Sequence, residues 1–416
     1  MPSLSDKLKS LGVKVGAEGL PAPIKHRGHP IEQVVSGRVH TTHSGDAYVV
    51  EVVYPSDHLY GHTPLNVPAS LSTVAHWAGG GKPELIERIQ RCSTHGFAYL
   101  DIETTGLMGG TGTYAFLIGV GRFDEDGFHL AQFFMRDPLE EPAQLLALEQ
   151  FVAPCETLVT YNGKSFDVPL LNTRYLTHGW RSPLFEPAHV DLLHLSRRIW
   201  RERLPSRTLG NVETFILGAH RTEEDVPGWQ IPQLYFDYLR SGDARPLKSV
   251  FYHNAMDVLA MAALLNHVTV LLEDPLESQS PENVLDLVGV GRLYEELGRT
   301  DDACRIYGRC LQESLPDDLL LDTLQRLSLI YKRNGDYLTA LPLWEKAASY
   351  KHLYAFEELA KYYEHHARDV QTAIYWTKAA LELIHSPAIP KDTRQEYQPK
   401  LEHRMQRLQR KSGSSG

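Results

Sequence analysis

The sequence predicts an α/β domain, with a mixed five-stranded sheet and flanking helices, followed by an all-α domain of helical repeats. Three short apolar segments meander between residues 97 and 135, and helical and extended segments alternate from there to about 272. A chain of 416 residues is too long for one ordinary hydrophobic core, so two or three domains are expected. We divide the chain into an N-terminal extension (1–90), the α/β domain (91–273), the repeats (280–385) and a basic C-terminal tail (386–416).

A β-hairpin is predicted within the N-terminal extension. Residues 33–54 alternate β-branched and polar side chains around the turn Ser44-Gly45-Asp46. Residues 1 to about 30, rich in glycine, proline and lysine, are expected to be extended. Neither feature indicates a role for the extension.

Five strands and the helices between them make up the predicted α/β domain. The strands are 97–103, 114–123, 128–135, 157–162 and 189–193. The turn from Asp124 to Gly127 joins the second strand to the third. Helical spacing covers 139–152, 166–178 and most of the chain from there to about 272. This order predicts a sheet that is covered by helices.

A repeated pattern of small and aromatic residues characterises the third region. Gly291, Tyr294, Gly298, Ala303, Tyr307 and Cys310 are spaced like Ser328, Tyr331, Gly335, Ala340, Trp344 and Ala347, and a looser copy has Ala360, Tyr363, Ala373 and Ala380. The offsets of 37 and about 33 residues are close to the tetratricopeptide period of 34. Small residues let two helices approach, an aromatic side chain fills the groove and glycine ends the first helix. A plain helical bundle is the alternative, and the basic tail that follows is expected to be a solvated helix.

Composition indicates a globular protein. Apolar residues make up 42% and charged residues 23%, with no apparent signal peptide and no uninterrupted apolar stretch long enough to span a bilayer. Four scattered cysteines without C-x-x-C spacing are typical of a reducing compartment, so a cytoplasmic location and no membrane partner are expected. The net charge of −10 means that nucleic-acid binding would depend on a local basic surface or on metal ions.

Two carboxylates end the first strand of the α/β domain, in the segment LDIETTG (100–106). Side chains at positions i and i+2 of a strand point to the same side, so Asp101 and Glu103 present their carboxylates together. Adjacent carboxylates repel each other unless a cation lies between them. The following Thr104, Thr105 and Gly106 break the strand and could offer backbone N–H groups to a nucleotide.

Two further segments supply acidic residues. In TYNGKSFDVPLLNTR (160–174), Asp167 lies near a predicted helix N-terminus. Its carboxylate could reach metal ions bound at Asp101 and Glu103, either directly or through water. In FYHNAMDVLAM (251–261), His253 and Asp257 are four residues apart and share one helix face. Four carboxylates without a cysteine partner favour Mg²⁺ or Mn²⁺ over Zn²⁺. Two such ions about 3.5–4 Å apart would activate water for phosphodiester hydrolysis.

The three segments resemble the exonuclease motifs of the DEDD superfamily of ribonuclease H-like 3′–5′ exonucleases, and Y-N-G-x-x-F-D-x-P-x-L with Arg174 is similar to the proofreading domain of family-B DNA polymerases. The resemblance covers about 97–272. It implies a ribonuclease H-like fold, a 3′–5′ polarity and two divalent cations bound by Asp101, Glu103, Asp167 and Asp257. Substrate-binding residues are then expected at Thr104, Thr105, Gly106, Asn162, Phe166 and Arg174.

The third motif departs from both branches of that superfamily. One branch has tyrosine four positions before the final aspartate, and the other has histidine five positions before it. This chain has His253 at the four-residue position and Tyr252 at the five-residue position. We predict His253 as the general base or the group that orients the attacking water, because its spacing directs it to the site of Asp257 and an imidazole is suited to base catalysis near neutral pH. Tyr252 is the alternative.

Three other features have two interpretations each. Asp191 resembles an acidic residue after a strand in polymerase-type domains, but a capping role is favoured. The stretch Gly109-Gly110-Thr111-Gly112-Thr113 could hold a phosphate or form a turn. The densest basic cluster is interpreted as a phosphate-backbone contact rather than a solvated face; it consists of Arg197, Arg198, Arg201, Arg203 and Arg207.

The expected function is a metal-dependent exonuclease acting on the ends of single-stranded DNA or RNA, with helical repeats that dock a protein partner or guide the substrate. The alternative is a nucleic-acid-binding scaffold whose repeats mediate protein interaction without cleavage. A third hypothesis keeps the metal chemistry but cuts internally.

Overall fold

A computed structural model describes residues 28–413 except 67–69, 93, 107–111, 186, 277–282 and 388. The first 27 residues, Gly109 to Thr111 of the glycine-rich stretch and the last three residues therefore lie outside the described part of the chain. The chain forms two compact units. The first comprises the described residues up to Tyr60, Cys92–His189 and His220–Ala262, and the second comprises Gly61–Arg91, Val190–Ala219 and the residues from Ala263 onward.

A seven-stranded mixed sheet is the centre of the first unit. Its strand order is β1-β2-β7-β6-β5-β8-β9. The neighbours β1–β2, β2–β7, β7–β6 and β6–β5 are antiparallel, and β5 and β8 are parallel. The strands of the chain are β1 Arg38–Thr42, β2 Gly45–Tyr54, β3 Leu59–Tyr60, β4 Thr63–Pro64, β5 Phe97–Thr104, β6 Ala115–Asp124, β7 Gly127–Phe134, β8 Thr157–Thr160 and β9 Ala188–Asp191.

The predicted fold class, a mixed sheet with flanking helices, is confirmed, but the sheet has seven strands rather than five. The additional pair is the N-terminal hairpin, whose second strand pairs with β7 from Tyr48↔Phe134 to Tyr54↔Phe128. The hairpin thus extends the antiparallel half of the sheet. The alternation of β-branched and polar side chains predicted the two strands of the hairpin, but it does not show which distant strand the hairpin pairs with.

Helices flank the sheet and continue to the C-terminal end of the described chain. They are α1 Ser72–Gly79, α2 Pro83–Arg91, α3 Glu141–Val152, α4 Asp167–Thr177, α5 Leu192–Ile199, α6 Leu209–Val212, α7 Ile231–Ser241, α8 Leu247–Glu273, α9 Val284–Glu296, α10 Thr300–Cys310, α11 Asp317–Arg333, α12 Tyr337–Ser349, α13 Leu353–His365, α14 Val370–Ile384 and α15 Lys391–Gly413.

Helix α8 is long and apolar enough to cross a membrane, judged by length and composition alone. Polar residues interrupt its sequence, so it contains no uninterrupted apolar stretch of that length. In the folded chain 78% of its most apolar 18-residue window is buried inside the protein. Burial in a protein core accounts for this composition as well as a membrane would.

Residues from three neighbouring strands form one row across the sheet, and the first part of helix α8 lies over this row. Asp101 on β5 pairs with Gly119 on β6, and Gly119 pairs with Gln132 on β7. Asn254 of α8 lies over this row, and a Cβ on Gly119 would lie only 2.1 Å from its Oδ1 atom. The missing side chain at Gly119 is therefore what lets the helix approach the sheet.

Successive helix pairs in the second unit share a turn geometry. Gly298 and Gly335, after α9 and α11, have φ angles of 74° and 77°, and Arg368, after α13, has 55°. The aspartates that follow the second and third turns, Asp336 and Asp369, each accept a hydrogen bond from the backbone amide three residues later. The repeated sequence pattern therefore corresponds to a repeated turn, with arginine replacing glycine in the third copy.

The basic C-terminal tail is a helix, as expected, and most of its residues are exposed, but one face of it is packed. Leu401 and Leu408 of α15 are 1% and 0% exposed. The carboxylate of Glu364 on α13, which is inaccessible to solvent, binds three cations of α15: Arg404 at 2.7 Å, Arg407 at 2.7 Å and Lys411 at 2.8 Å. The positive charges thus attach the helix to the repeats.

Candidate active site

The two carboxylates of β5 lie at the end of the strand, as their spacing predicts. The residues before them are almost all buried, whereas Asp101 and Glu103 are only partly covered. The pairing of β5 with β6 becomes irregular between Glu103 and Thr104. A strand that is buried along most of its length therefore ends by presenting carboxylates at its exit.

Asp101 is fixed in place by Asn254. Its Oδ2 atom accepts a hydrogen bond of 2.9 Å from the side-chain amide of Asn254, which is itself 0% exposed. Asn254 Oδ1 in turn accepts from Gln132 Nε2 at 2.9 Å, and the same Nε2 also donates to the carbonyl of Phe251 at 2.8 Å. The carboxylate is thus the end of a buried hydrogen-bonded chain that starts on β7.

Helix α8 brings a second set of ligand atoms to the same place. Three possible metal-ligand atoms lie within 4.8 Å of one another, one each from Glu103, His253 and Asp257. His253 Nε2 is 3.5 Å from Asp257 Oδ2. Tyr252, by contrast, has its hydroxyl at the backbone amide of Thr222, from which it accepts a hydrogen bond of 3.0 Å.

Asp167, the first residue of α4, completes an electrostatically linked group of four carboxylates. Burial and the negative charges of Asp257, Glu103 and Asp167 raise the pKa of Asp101 well above its ordinary range. Burial and the charges of Asp257 and Asp167 raise the pKa of Glu103 in the same way. The ionised forms of these carboxylates therefore need a compensating cation.

The donor set fits a hard divalent cation. Carboxylate oxygens are the preferred ligands of Mg²⁺ and Mn²⁺, and an imidazole nitrogen is compatible with Mn²⁺. A second group, Asp124, Asp126 and His129 on the β6–β7 turn, also has donor atoms within 4.8 Å. There, however, Asp126 is exposed, whereas Glu103, His253 and Asp257 are all partly buried. The β5–α8 cluster is the stronger candidate.

A cavity of about 710 Å³ opens beside the carboxylates. Its lining includes Glu103 and Asp167 together with four of the predicted substrate-binding residues, Thr104, Gly106, Asn162 and Phe166. The Phe166 side chain is 58% exposed, which leaves a ring face accessible. Asn162 adopts a left-handed backbone conformation (φ 71°), one that asparagine tolerates better than most residues and that ends the β8 segment at the cavity.

Thr105 and Arg174, which were also predicted to bind substrate, have partners within the protein. The Thr105 hydroxyl accepts a hydrogen bond from the Tyr114 amide at 3.0 Å. The Arg174 guanidinium binds both carboxylate oxygens of Glu141, at 2.5 and 2.6 Å, lies over the Tyr114 ring and is 4% exposed. Arg174 is therefore part of a buried ion pair, and a contact of either residue with substrate remains a prediction.

Two charged residues at the site were missed by the sequence analysis. Arg221 donates to Asp257 Oδ1, and Asp225 Oδ1 lies 2.7 Å from His253 Nδ1. Both belong to the segment before α7, which has neither a periodic pattern nor a recognisable motif. Their only sequence signal is the density of charged residues in HRTEEDVPG (220–228).

Two other predicted features have partners within the protein. Asp191 Oδ1 accepts a hydrogen bond of 3.1 Å from the Leu193 amide and caps α5, which is the favoured interpretation. Three members of the basic cluster lie beside carboxylates, among them Arg201, whose Nε is 3.6 Å from Glu202 Oε1, and a contact with the phosphate backbone remains a prediction. Arg198 binds Glu296, and Arg203 binds Asp286, each at 2.5 Å.

Comparison with known proteins identifies the family of the chain. Residues 98–269 match the RNase H superfamily. The family B DNA polymerase from the hyperthermophilic archaeon Pyrobaculum calidifontis aligns with 48% of this chain and 29% of its own, at 18% identity and a TM-score of 0.33. The uncharacterized protein YprB of Bacillus subtilis (strain 168) is 33% identical over 340 residues, which cover 80% of this chain and 79% of that protein. The chain belongs to the same family as YprB and carries an RNase H-superfamily domain.

Proposed function

We propose that the protein is a metal-dependent 3′–5′ exonuclease that hydrolyses phosphodiester bonds at the ends of single-stranded nucleic acid. One observation carries the proposal: burial and the negative charges of Asp257 on α8 and Asp167 on α4 raise the pKa of both β5 carboxylates, beside a cavity that is lined by Phe166. Such a cluster is costly in a folded protein without a cation, and the RNase H-like fold supports a nucleic-acid-processing role. The 3′–5′ polarity rests on the resemblance of the three motifs.

The ligands of two Mg²⁺ or Mn²⁺ ions would be Asp101, Glu103, Asp167 and Asp257. When bound, the ions lower the pKa of water and stabilise the charge of the leaving oxygen. The contribution of the chain itself is orientation and proton transfer. Asn254 holds one oxygen of Asp101, and His253 Nε2 accepts the proton of the attacking water. We prefer His253 to Tyr252 because it is the imidazole that reaches the carboxylates.

The cavity supports a substrate with an unpaired end. The exposed ring of Phe166 offers a stacking surface for a base, and stacking on an aromatic side chain contributes about 1–3 kcal/mol per base. Thr104, Gly106 and Asn162 line the same cavity and supply polar groups for the sugar and phosphate. A base inside a duplex already stacks on both of its neighbours and is not available to the ring, so single-stranded ends are the expected substrates.

The helical part of the second unit would dock a partner or guide the substrate, as tetratricopeptide-type repeats do. Support comes from the repeated left-handed turns at Gly298, Gly335 and Arg368. The close contact of Gly291 with the Tyr307 ring, where a Cβ would lie 2.6 Å from a ring atom, fits the same repeat. The domain boundaries 91–273 and 280–385 and a cytoplasmic location remain predictions.

Nucleotide release from end-labelled oligonucleotides tests the proposal. Purified protein with Mg²⁺ or Mn²⁺ is given matched single- and double-stranded DNA and RNA, each labelled at either end, and a circular single strand. We expect release from 3′ ends of linear single strands, inhibition by a chelator and no cleavage of the circle. Glu103→Gln should abolish release, whereas Glu125→Gln, the same change at an exposed turn residue, should not.

Each alternative has its own outcome in this assay. Cleavage of the circular strand would indicate an endonuclease with the same metal chemistry. Binding of an oligonucleotide with Mn²⁺ but no nucleotide release, in wild type as in Glu103→Gln, would favour the scaffold hypothesis and contradict the proposed activity.

A further inference from the structure

His253 is held from both sides of its ring. Its Nδ1 atom lies 2.7 Å from Asp225 Oδ1, and its Nε2 atom lies 3.5 Å from Asp257 Oδ2, toward the cluster of carboxylates. The side chain is 18% exposed, so the ring has little freedom to turn. The nitrogen that faces the carboxylates therefore depends on what the other nitrogen binds.

Asp225 is itself anchored. The Val226 amide donates to its Oδ1 atom at 2.9 Å, and Arg221 Nη1 is 3.6 Å from its Oδ2 atom. Arg221 also binds Asp257 Oδ1, which leaves the other oxygen of that carboxylate on the side of His253. The segment is further attached to α8 where Tyr252 accepts from the Thr222 amide. These contacts place the Asp225 carboxylate beside the imidazole.

A carboxylate at Nδ1 selects one form of a neutral imidazole. The proton resides on Nδ1, where it is donated to the carboxylate, and the lone pair resides on Nε2. Partners of this kind orient the ring and increase its basicity, and their loss costs about 10–100-fold in affinity or activity at metal sites. An Nε2 lone pair directed at the carboxylate cluster is what a base for an attacking water requires.

We propose that Asp225 is a positioning residue of the nuclease site, which acts through His253 by holding its ring with the unprotonated Nε2 toward the metal-binding carboxylates. This inference rests on the proposed function. The competing arrangement is set by Arg221, whose Nη1 atom is 3.2 Å from the same Nδ1 and could donate to it only if that nitrogen carried no proton. The shorter contact with Asp225 and its negative charge favour a proton on Nδ1.

A double-mutant cycle in nucleotide release tests the dependence on His253. Asp225→Ala should lower kcat about 10–100-fold and change KM little, because Asp225 contacts the base and not the substrate. In the His253→Ala background the same change should cost less than about threefold, since groups that act through one another are not additive. The control is Glu224→Ala, at an exposed neighbour whose partner Lys248 is also exposed. An equal loss of kcat with and without His253 would overturn the proposal.

Imidazole nitrogen NMR tests the hydrogen bond without using activity. The His253 signals, identified by their loss in His253→Ala, should show protonated Nδ1 and unprotonated Nε2 in the wild type, and this preference should disappear in Asp225→Ala. Asp225→Leu, which has a similar size and no hydrogen-bond acceptor, provides the same comparison if the alanine variant does not fold. If the wild type releases no nucleotides, the proposed nuclease activity is wrong. The spectrum would then still show whether Asp225 determines which nitrogen of His253 carries the proton. An Nε2-protonated wild type would refute the assignment.

Discussion

Alanine at Gly119 should destabilise the protein through Asn254. A Cβ at this position would lie 2.1 Å from Oδ1 and 2.8 Å from Cγ of Asn254, so the buried amide must move. Moving it disturbs three hydrogen bonds: two that it donates to Asp101, at the carbonyl and at Oδ2, and one that it accepts from Gln132. A buried polar group that loses its partner costs about 1–3 kcal/mol. Because Gln132 keeps its bond to the Phe251 carbonyl, we expect the free energy of unfolding to fall by about 2–4 kcal/mol.

Urea denaturation of four proteins separates this mechanism from a general intolerance of β6. Wild type, Gly119→Ala, Asn254→Ala and the double variant form a cycle. Asn254→Ala removes the atoms that the new methyl group would meet, so Gly119→Ala should cost at least about 1 kcal/mol less in that background. Costs that add within about 0.5 kcal/mol would refute the argument, because the clash would then not involve Asn254.

Three further expectations concern metal, charge and packing. The pKa values of the two β5 carboxylates are raised in the folded protein, so their ionisation opposes folding. In the presence of a chelator, the melting temperature should therefore fall as the pH rises from the ordinary carboxyl range. The increase in melting temperature on adding Mg²⁺ should grow with pH, and an increase that does not depend on pH would contradict this expectation. Arg174→Ala should cost about 3 kcal/mol, because Glu141 would lose its bidentate partner and be left with His178 Nε2 at 2.8 Å; KM for an oligonucleotide should be unchanged in the folded fraction, and a raised KM would support the substrate role. Gly291→Ala should cost about 1–3 kcal/mol against the Tyr307 ring, measured by thermal unfolding, whereas Gly308→Ala, where a Cβ meets nothing within 4 Å, should be neutral or stabilising.

Local patterns were sufficient for the elements that carry the site. The i and i+2 spacing of Asp101 and Glu103 and the i and i+4 spacing of His253 and Asp257 fix which side chains share a face, and the structure places them accordingly. Their assignment as metal ligands remains a prediction. These inferences hold because the period of a strand or a helix is a property of a few neighbouring residues.

Pairings between distant residues could not be inferred in this way. Arg174 looked like part of a motif, but its role depends on Glu141, 33 residues earlier and on another helix. Asn254 lies inside a quoted motif, yet its importance follows from Gly119 and Gln132 on the sheet. A single sequence shows the residue types at such positions, but it does not show which of them meet.

The placement of His253, Asn254 and Asp257 on one helix also constrains how the family can vary. Each residue of an α-helix adds about 100° of rotation, so a single deletion between Asp257 and Met261 would turn all three side chains relative to the buried remainder of the helix. Length changes in relatives should therefore be excluded from this short stretch and tolerated in loops. A relative that carries such a deletion would be recognisable, from its alignment alone, as a chain that has kept the fold and lost the chemistry.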